Sequence, residues 1–384
     1  MLFVAVIFIL FLAGMEVDIF IPSYPELQQQ FNLSPATVQL CLSLNFLTYC
    51  IGSLYAGAFG DRYGLRRVIL SGLLVFIAGS IFCSFANDFC SILIGRALQG
   101  LGMAAPASLG YVVICEQYPA ENQAAMLGTL NGIITVGMAL APVIGSYVTL
   151  YAGWRGNFVI LLALALIALL ACVFVMPCDH RNNKDVSLPL ISYKSVVISK
   201  SYWALLSIIF AYACSYWIFI GMGSILYIEG FGIPLSEFGF YQGAIAGSFG
   251  LISFLSPKFL SKIGHRKCLN ISVIVATMVA IALGLVALTG LNNPLLITGL
   301  MCVFAMFIVM PVNILYPILL DVVPDTKSRA AALGNVMRLV ISAVFIELVS
   351  YAYNGTFFHL GLVLFVFSMV GFFLARSKFI SHLV

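Results

Sequence analysis

The 384-residue chain is 62% hydrophobic and only 8% charged, with a mean hydropathy of +1.10. A soluble domain carries roughly 25% charged residues to wet its surface, so a single water-facing core is excluded and the outer surface must face lipid. The net charge of +4 is too small to call for nucleic acid. The ten cysteines lack zinc-type or disulfide-framework spacing and read as small packing residues in apolar runs.

Apolar runs of about 20 residues, each able to cross a hydrocarbon core of ~30 Å, follow one another along the chain. They are Leu2–Pro22, Ala36–Phe59, Val68–Phe85, Phe89–Ile114, Ala124–Tyr151 and Asn157–Met176, then Tyr202–Tyr227, Phe238–Leu260, Cys268–Leu288, Pro294–Leu320, Ala330–Tyr353 and Phe357–Ala375. The first has no basic segment before it and no small-residue cleavage site after it, so it reads as a membrane helix rather than a removable leader. The expected fold is an all-α membrane protein of twelve transmembrane helices in two six-helix halves. A polar interruption with Asp179, His180, Arg181, Asn182, Asn183, Lys184 and Asp185 divides it. The expected bundles are therefore 1–177 and 202–384, with a central loop over 178–201. Two six-helix halves are the pattern of a parallel-repeat transporter.

Lysine and arginine orient the bundle. Alternate loops hold Arg62, Arg66 and Arg67; Arg181, Lys184, Lys194 and Lys200; Lys258, Lys262, Arg266 and Lys267; Lys327 and Arg329; Arg376 and Lys378. The opposite loops hold only Arg155, while Arg96 and Arg338 lie within spans. Positive loops stay inside, so both termini and the central loop are expected in the cytoplasm. An internal repeat supports the two halves. The segment Gly57 to Arg67 has a degenerate partner 200 positions later, Pro257 to Lys267, in which Gly64, Arg66 and Arg67 match Gly264, Arg266 and Lys267. Asp61 has become Ser261, so the basic rim is kept and the acid lost. Glycines at 57, 60 and 64 suit a short turn where backbones crowd. Asp61 can accept hydrogen bonds from a helix N-terminus or an arginine, a contact able to form and break as the halves move.

Charges inside spans carry the sharper signal, because each costs several kcal/mol unless paired or hydrated. At ~1.5 Å per residue, Asp18 lies about 6–9 Å, Arg96 about 10–12 Å and Glu347 about 9–10 Å from the outer end of its span. The three share one layer. A carboxylate facing an arginine there is a proton switch, since a proton or a cationic substrate can replace the arginine; the plainer reading is a static stitch between helices. Glu16, two residues from Asp18, points about 200° around the helix. It reaches a second polar surface or packs protonated against a neighbour. Arg338 is out of phase with Glu347 and is expected to snorkel. The fifth span carries Gly128, Gly132, Gly137, Pro142 and Gly145, small residues for close packing and a proline expected to kink the axis. Four scattered histidines, His180, His265, His359 and His382, form no metal or triad pattern, so an enzyme is not expected.

These residues resemble the major facilitator superfamily, and within it the twelve-span drug:proton antiporters of the bicyclomycin/chloramphenicol-resistance type. Gly57, Asp61, Arg62, Gly64, Arg66 and Arg67 stand on that family's loop motif. The run from Arg96 through Gln99, Gly100 and Gly102 to Ala105 resembles its fourth-helix motif, whose arginine is implicated in proton coupling. Gly137 to Ser146 is similar to its fifth-helix antiporter motif, with Ala141 and Ser146 in place of glycines. Glu16 to Pro25 resembles its acid-then-proline signature, with Asp18 on the acid; where some relatives carry another acid two turns earlier, this chain has Ile9, Leu10 and Phe11.

The resemblance implies a proton-coupled antiporter of the bacterial inner (plasma) membrane. It would export small lipophilic or cationic drug-like molecules by alternating access, as a lipid-embedded monomer driven by the proton gradient, with no cofactor and no metal. It implies proton coupling by Asp18 and Arg96, to which Glu16 is added as a candidate from its place in the first span; the expected substrate cavity carries Asp18, Glu347, Tyr111 and Asn45. The gating loop is then Gly57, Asp61, Arg62, Gly64, Arg66 and Arg67, and the antiporter helix carries Gly137, Pro142 and Gly145. Export of a siderophore or metabolite, nutrient uptake on the same fold, or a receptor that has lost transport are the alternatives.

Overall fold

The computed structural model describes residues 1–177, 194–322 and 327–377. Most of the polar interruption (178–193) and the last seven residues, with Lys378 and His382, lie outside the described residues. Regular structure among those described is helical: α1 (Leu2–Met15), α2 (Tyr24–Phe31), α3 (Pro35–Tyr63), α4 (Leu65–Ser84), α5 (Phe89–Gln117) and α6 (Ala120–Val175), then α7 (Lys194–Ile198), α8 (Lys200–Ser224), α9 (Leu235–Ile263), α10 (His265–Thr289), α11 (Pro294–Asp321), α12 (Lys327–Ala352) and α13 (Phe358–Ala375). Ten of these are long and apolar enough to cross a membrane. One of the ten, α6, holds two spans, because its backbone breaks at Gly153 (φ 68°, ψ 177°). With the shorter apolar α1 the total is twelve.

The first span is not the continuous helix that its hydropathy predicts. Helix α1 ends at Met15, residues 16–20 form turns, a 3-10 turn follows at Ile21–Ser23, and α2 resumes at Tyr24. Proline explains the restart: Pro22 and Pro25 each sit in the first turn of a helical segment, where a missing N–H costs nothing. In α6 the backbone stays helical through Pro142, and the break falls eleven residues later at a glycine whose positive φ disfavours other residues. Glu26 on α2 caps the restarted helix, accepting the Trp154 N–H at 2.9 Å. The Trp154 indole donates to Gln30 at 2.6 Å, and the Arg155 guanidinium lies 4.2 Å from its ring centroid.

The chain divides into two compact units, Met1–Leu190 with Leu235–Gly239, and Ile191–Pro234 with Phe240–Val384. In the first, α5 packs on α3 and α4 while α1 packs on α6. In the second, α10 packs on α11 and α13, and α8 on α11, α12 and α13. The 200-residue repeat is visible in the backbone. Helices α3 and α9 both have 29 residues, and each passes to the next helix through a single glycine, Gly64 at φ 93°, ψ 145° and Gly264 at φ 86°, ψ 149°. Crowding at Gly57 is not found: no atom lies within 4 Å of a Cβ placed there, nor at Gly128 or Gly132.

Close approach is needed instead where α6 meets the first helix. A Cβ on Gly145 would collide with the Ile19 carbonyl oxygen, and one on Gly137 would stand 3.0 Å from that of Phe11. Gly145→Ala is therefore expected to destabilise the purified protein by about 1–3 kcal/mol through overpacking, while Gly128→Ala leaves the thermal unfolding midpoint unchanged or slightly raised. Equal midpoints for the two variants would contradict this packing.

Candidate functional site

Charge is buried in the first unit where α1 ends. Arg96, two turns into α5, has 0% exposure. An arginine cannot discard its proton, so its surroundings must answer the charge. Its Nη1 lies 3.8 Å from Glu16 Oε1 and donates to Gln99 Oε1 at 2.9 Å, while Nε donates to the Cys41 carbonyl at 3.4 Å. The Phe20 ring covers the guanidinium, 5.5 Å from its central carbon.

A second shell fixes these partners. Asn45 Nδ2 donates to Glu16 Oε1 at 2.6 Å and to the Arg96 carbonyl at 3.1 Å, tying α3 to both α1 and α5. Gln99 Nε2 donates to Ser80 Oγ at 2.9 Å, and Ser80 in turn donates to the Phe76 carbonyl within α4. Gly100 makes the crossing possible, because a Cβ there would collide with the Asn45 carbonyl oxygen. Four helices thus converge on one guanidinium.

The carboxylate that meets Arg96 is Glu16, the acid for which the sequence left a second polar surface or a neighbouring helix open. Glu16 is the first residue past α1 and still has helical φ and ψ, so its side chain continues the face that packs on α5. Asp18 is also buried, at 2% exposure, but its Oδ1 has no hydrogen-bond partner among the described residues. The two acids of the first span therefore stand in different chemical states. One is locked to a cation and an amide; the other keeps a buried, unanswered acceptor.

The remaining expected site residues have surroundings of their own. Asn45 is buried and engaged by Glu16 rather than lining an open wall. Tyr111, half-buried on α5, donates to Asn131 at 2.7 Å. Glu347 is half-buried on α12 of the second unit. Arg338 is half-buried and donates to Asn335 at 2.8 Å, one turn away on its own helix. On the loop motif, Arg66 donates to the Val173 carbonyl at 2.6 Å, while Asp61 and Arg67 are exposed. Sequence reading missed Gln99 and Ser80 as partners. Gln99 was within reach of it, because a residue three positions after Arg96 shares its helix face. A separate buried network, in which Asn157 donates to Ser23 and Thr149 at 2.8 Å each, had no such local signal.

Twelve apolar spans in two units, with an ion pair buried among the helices of one, define a membrane transporter. The chain belongs to the Major Facilitator Superfamily, whose family model matches residues 6–346. It is similar to a bicyclomycin resistance protein homolog of Haemophilus influenzae, 26% identical over 280 residues, which cover 72% of this chain and 70% of the relative. It is also similar to the multidrug resistance protein MdtL of Citrobacter koseri, 25% identical over 246 residues, 64% of this chain and 63% of the relative. Among solved structures, that of a D-xylose–proton symporter shares the fold, with a TM-score of 0.78 at 14% identity over 98% of this chain and 97% of the other.

The pairing makes a stability prediction. Removing one partner of a buried ion pair strands the other, at about 3–5 kcal/mol, so Arg96→Ala is expected to be strongly destabilising and Arg96→Ala/Glu16→Gln less so than the two single changes added together. In double-mutant cycles read by thermal unfolding, Glu16 and Arg96 couple by more than about 1 kcal/mol, whereas Asp18 and Arg96 are nearly additive. The reverse order would mean that Asp18 is the true partner.

Proposed function

We propose that the chain exports small lipophilic or cationic drug-like molecules in exchange for protons, with Asp18 as the group that carries the proton. The supporting observation is the contrast between the two first-span acids. Glu16 is neutralised in place by Arg96 and Asn45, at 3.8 and 2.6 Å. Asp18, two residues on, is equally buried with an acceptor oxygen unanswered. A buried carboxylate with an oxygen left unanswered is the one whose charge is least compensated. A cationic or hydrogen-bonding substrate could displace that proton, which is the exchange an antiporter needs.

The direction of transport rests on likeness. Two relatives are named for resistance to bicyclomycin and to multiple drugs, and Gly137 and Gly145 of the fifth-helix motif hold α6 tightly against the first span. In this reading Arg96 and Glu16 position the first span and sense its charge state, and the Asp61 turn gates movement of the halves. The protein works as a monomer in the bacterial inner membrane with both termini cytoplasmic, as its loop charges direct.

The test is substrate-induced proton movement in proteoliposomes, using a panel of lipophilic cations and bicyclomycin-like neutral drugs. Wild type should release protons on substrate addition. Asp18→Asn should abolish the release by at least tenfold while the purified protein keeps its unfolding midpoint, and Glu16→Gln should impair it less. Normal coupling in Asp18→Asn would move the proton site elsewhere. If no drug moves protons and a metabolite or siderophore does, the fold is retained and the substrate class is wrong.

A further inference from the structure

The loop motif of the first unit and its repeat in the second share a backbone but differ in charge. In the first, Asp61 stands inside the basic run, Arg62 lies 5.3 Å from the Tyr63 ring centroid, and Arg66 donates to the Val173 carbonyl at 2.6 Å. In the second, Ser261 replaces the acid and its hydroxyl turns back to the Lys258 carbonyl at 3.0 Å. Lys258, Lys262, Arg266 and Lys267 are all exposed, and none of their side-chain cations forms an ion pair or hydrogen bond among the described residues. Four positive charges at one helical turn repel one another. Without an internal acid, they are stable only with an external anion or full hydration.

Directly beside this turn the second unit has an apolar cavity of about 250 Å³. Its wall comes from the last turns of α9 (Phe259, Ile263), the first turns of α10 (Cys268, Ile271) and the facing stretch of α11 (Met306, Met310). Basic and apolar residues are interleaved on the same helix faces. Lys262 is three residues after Phe259, and Lys267 four before Ile271, spacings that place each pair together. Phe259, Ile263 and Ile271 are themselves exposed, so the cavity opens on the outer face of a membrane-spanning bundle. A slot with apolar walls and a cationic mouth matches one kind of molecule in a bilayer, an amphiphile with a hydrocarbon tail and an anionic head.

We propose that the α9–α10 turn and the cavity beside it bind one anionic phospholipid, an acyl chain in the cavity and the phosphate headgroup on Lys262, Arg266 and Lys267. Zwitterionic lipid fits the cavity equally well but gains nothing from the rim. In the first unit Asp61 already stands within the matching basic turn.

The experiment is native mass spectrometry of the full chain, purified in detergent and titrated with phosphatidylglycerol or with phosphatidylcholine of the same acyl chains. Wild type should show one saturable phosphatidylglycerol adduct, at least tenfold tighter than phosphatidylcholine, and raising the ionic strength should erase that preference. Lys262→Gln/Arg266→Gln/Lys267→Gln should weaken phosphatidylglycerol by about tenfold or more and leave phosphatidylcholine unchanged. Ile271→Trp, which fills the cavity, should weaken both. Equal affinity of wild type for the two lipids, or a preference that survives high salt, overturns the proposal without reference to any variant. So does an equal loss in Arg62→Gln/Arg66→Gln/Arg67→Gln, which would indicate general attraction to the surface.

Discussion

A guanidinium with no exposed surface sets the terms for the first unit. Arg96 cannot lose its charge, and an unmatched charge among apolar helices costs several kcal/mol. Its neighbours follow from that requirement. Glu16 supplies the counter-charge, Gln99 and the Cys41 carbonyl accept its N–H groups, and Phe20 offers a ring face. Each sits where it does because of a backbone decision made elsewhere. Gly100 lets α3 come close enough for Asn45 to bridge two helices, and Gly145 lets α6 press on the segment just after α1. The glycines of these spans are thus geometric preconditions of the ion pair.

The ending of α1 at Met15 matters for the same reason. Were the helix continuous, Glu16 and Asp18 would keep a fixed angular relation and a common axis. The turns at 16–20 separate their environments, leaving Glu16 beside Arg96 and Asp18 buried with its Oδ1 unsatisfied among the described residues. Buried acceptors left without donors are uncommon in stable cores. This one sits at a break between helical segments, where small rotations of the chain are less costly than within a continuous helix. If Asp18 carries the proton as proposed, it has to be held loosely enough to change partners.

Hydropathy made the spans legible, and their number needed nothing more, because a lipid-facing helix must be apolar along about 20 residues. The repeat was equally legible, since Gly64 and Gly264 are required by a positive φ that other residues rarely adopt. Depth arithmetic put Asp18, Arg96 and Glu347 in one layer but did not say which acid meets the guanidinium. Depth is a one-dimensional coordinate, and partner choice depends on the rotation of each helix about its axis. Glu16 lies at nearly the same depth and on the face that meets α5. Reading Gly57 as crowded failed for a related reason: spacing marks glycine as available for close approach, whereas only the neighbouring helix shows whether anything approaches.

The two units show how little of this chemistry the scaffold demands. Counted from the first residue of each helix, Arg96 of α5 corresponds to Met301 of α11; at the repeat distance of 200, Glu16 and Asp18 correspond to Tyr216 and Ile218. All three counterparts are buried and none carries a charge at neutral pH. The second unit therefore builds the same hairpins around apolar and aromatic side chains, with no ion pair at their centre among the described residues. Packing geometry repeats because both units solve the same problem of joining helices through one left-handed glycine. Charge does not repeat, because a buried charge adds cost without adding to the fold. The polar cluster of the first unit is best understood as an addition to a scaffold that is stable without it. The same freedom let position 261 lose its acid, leaving a basic turn with no ion-pair partner among the described residues.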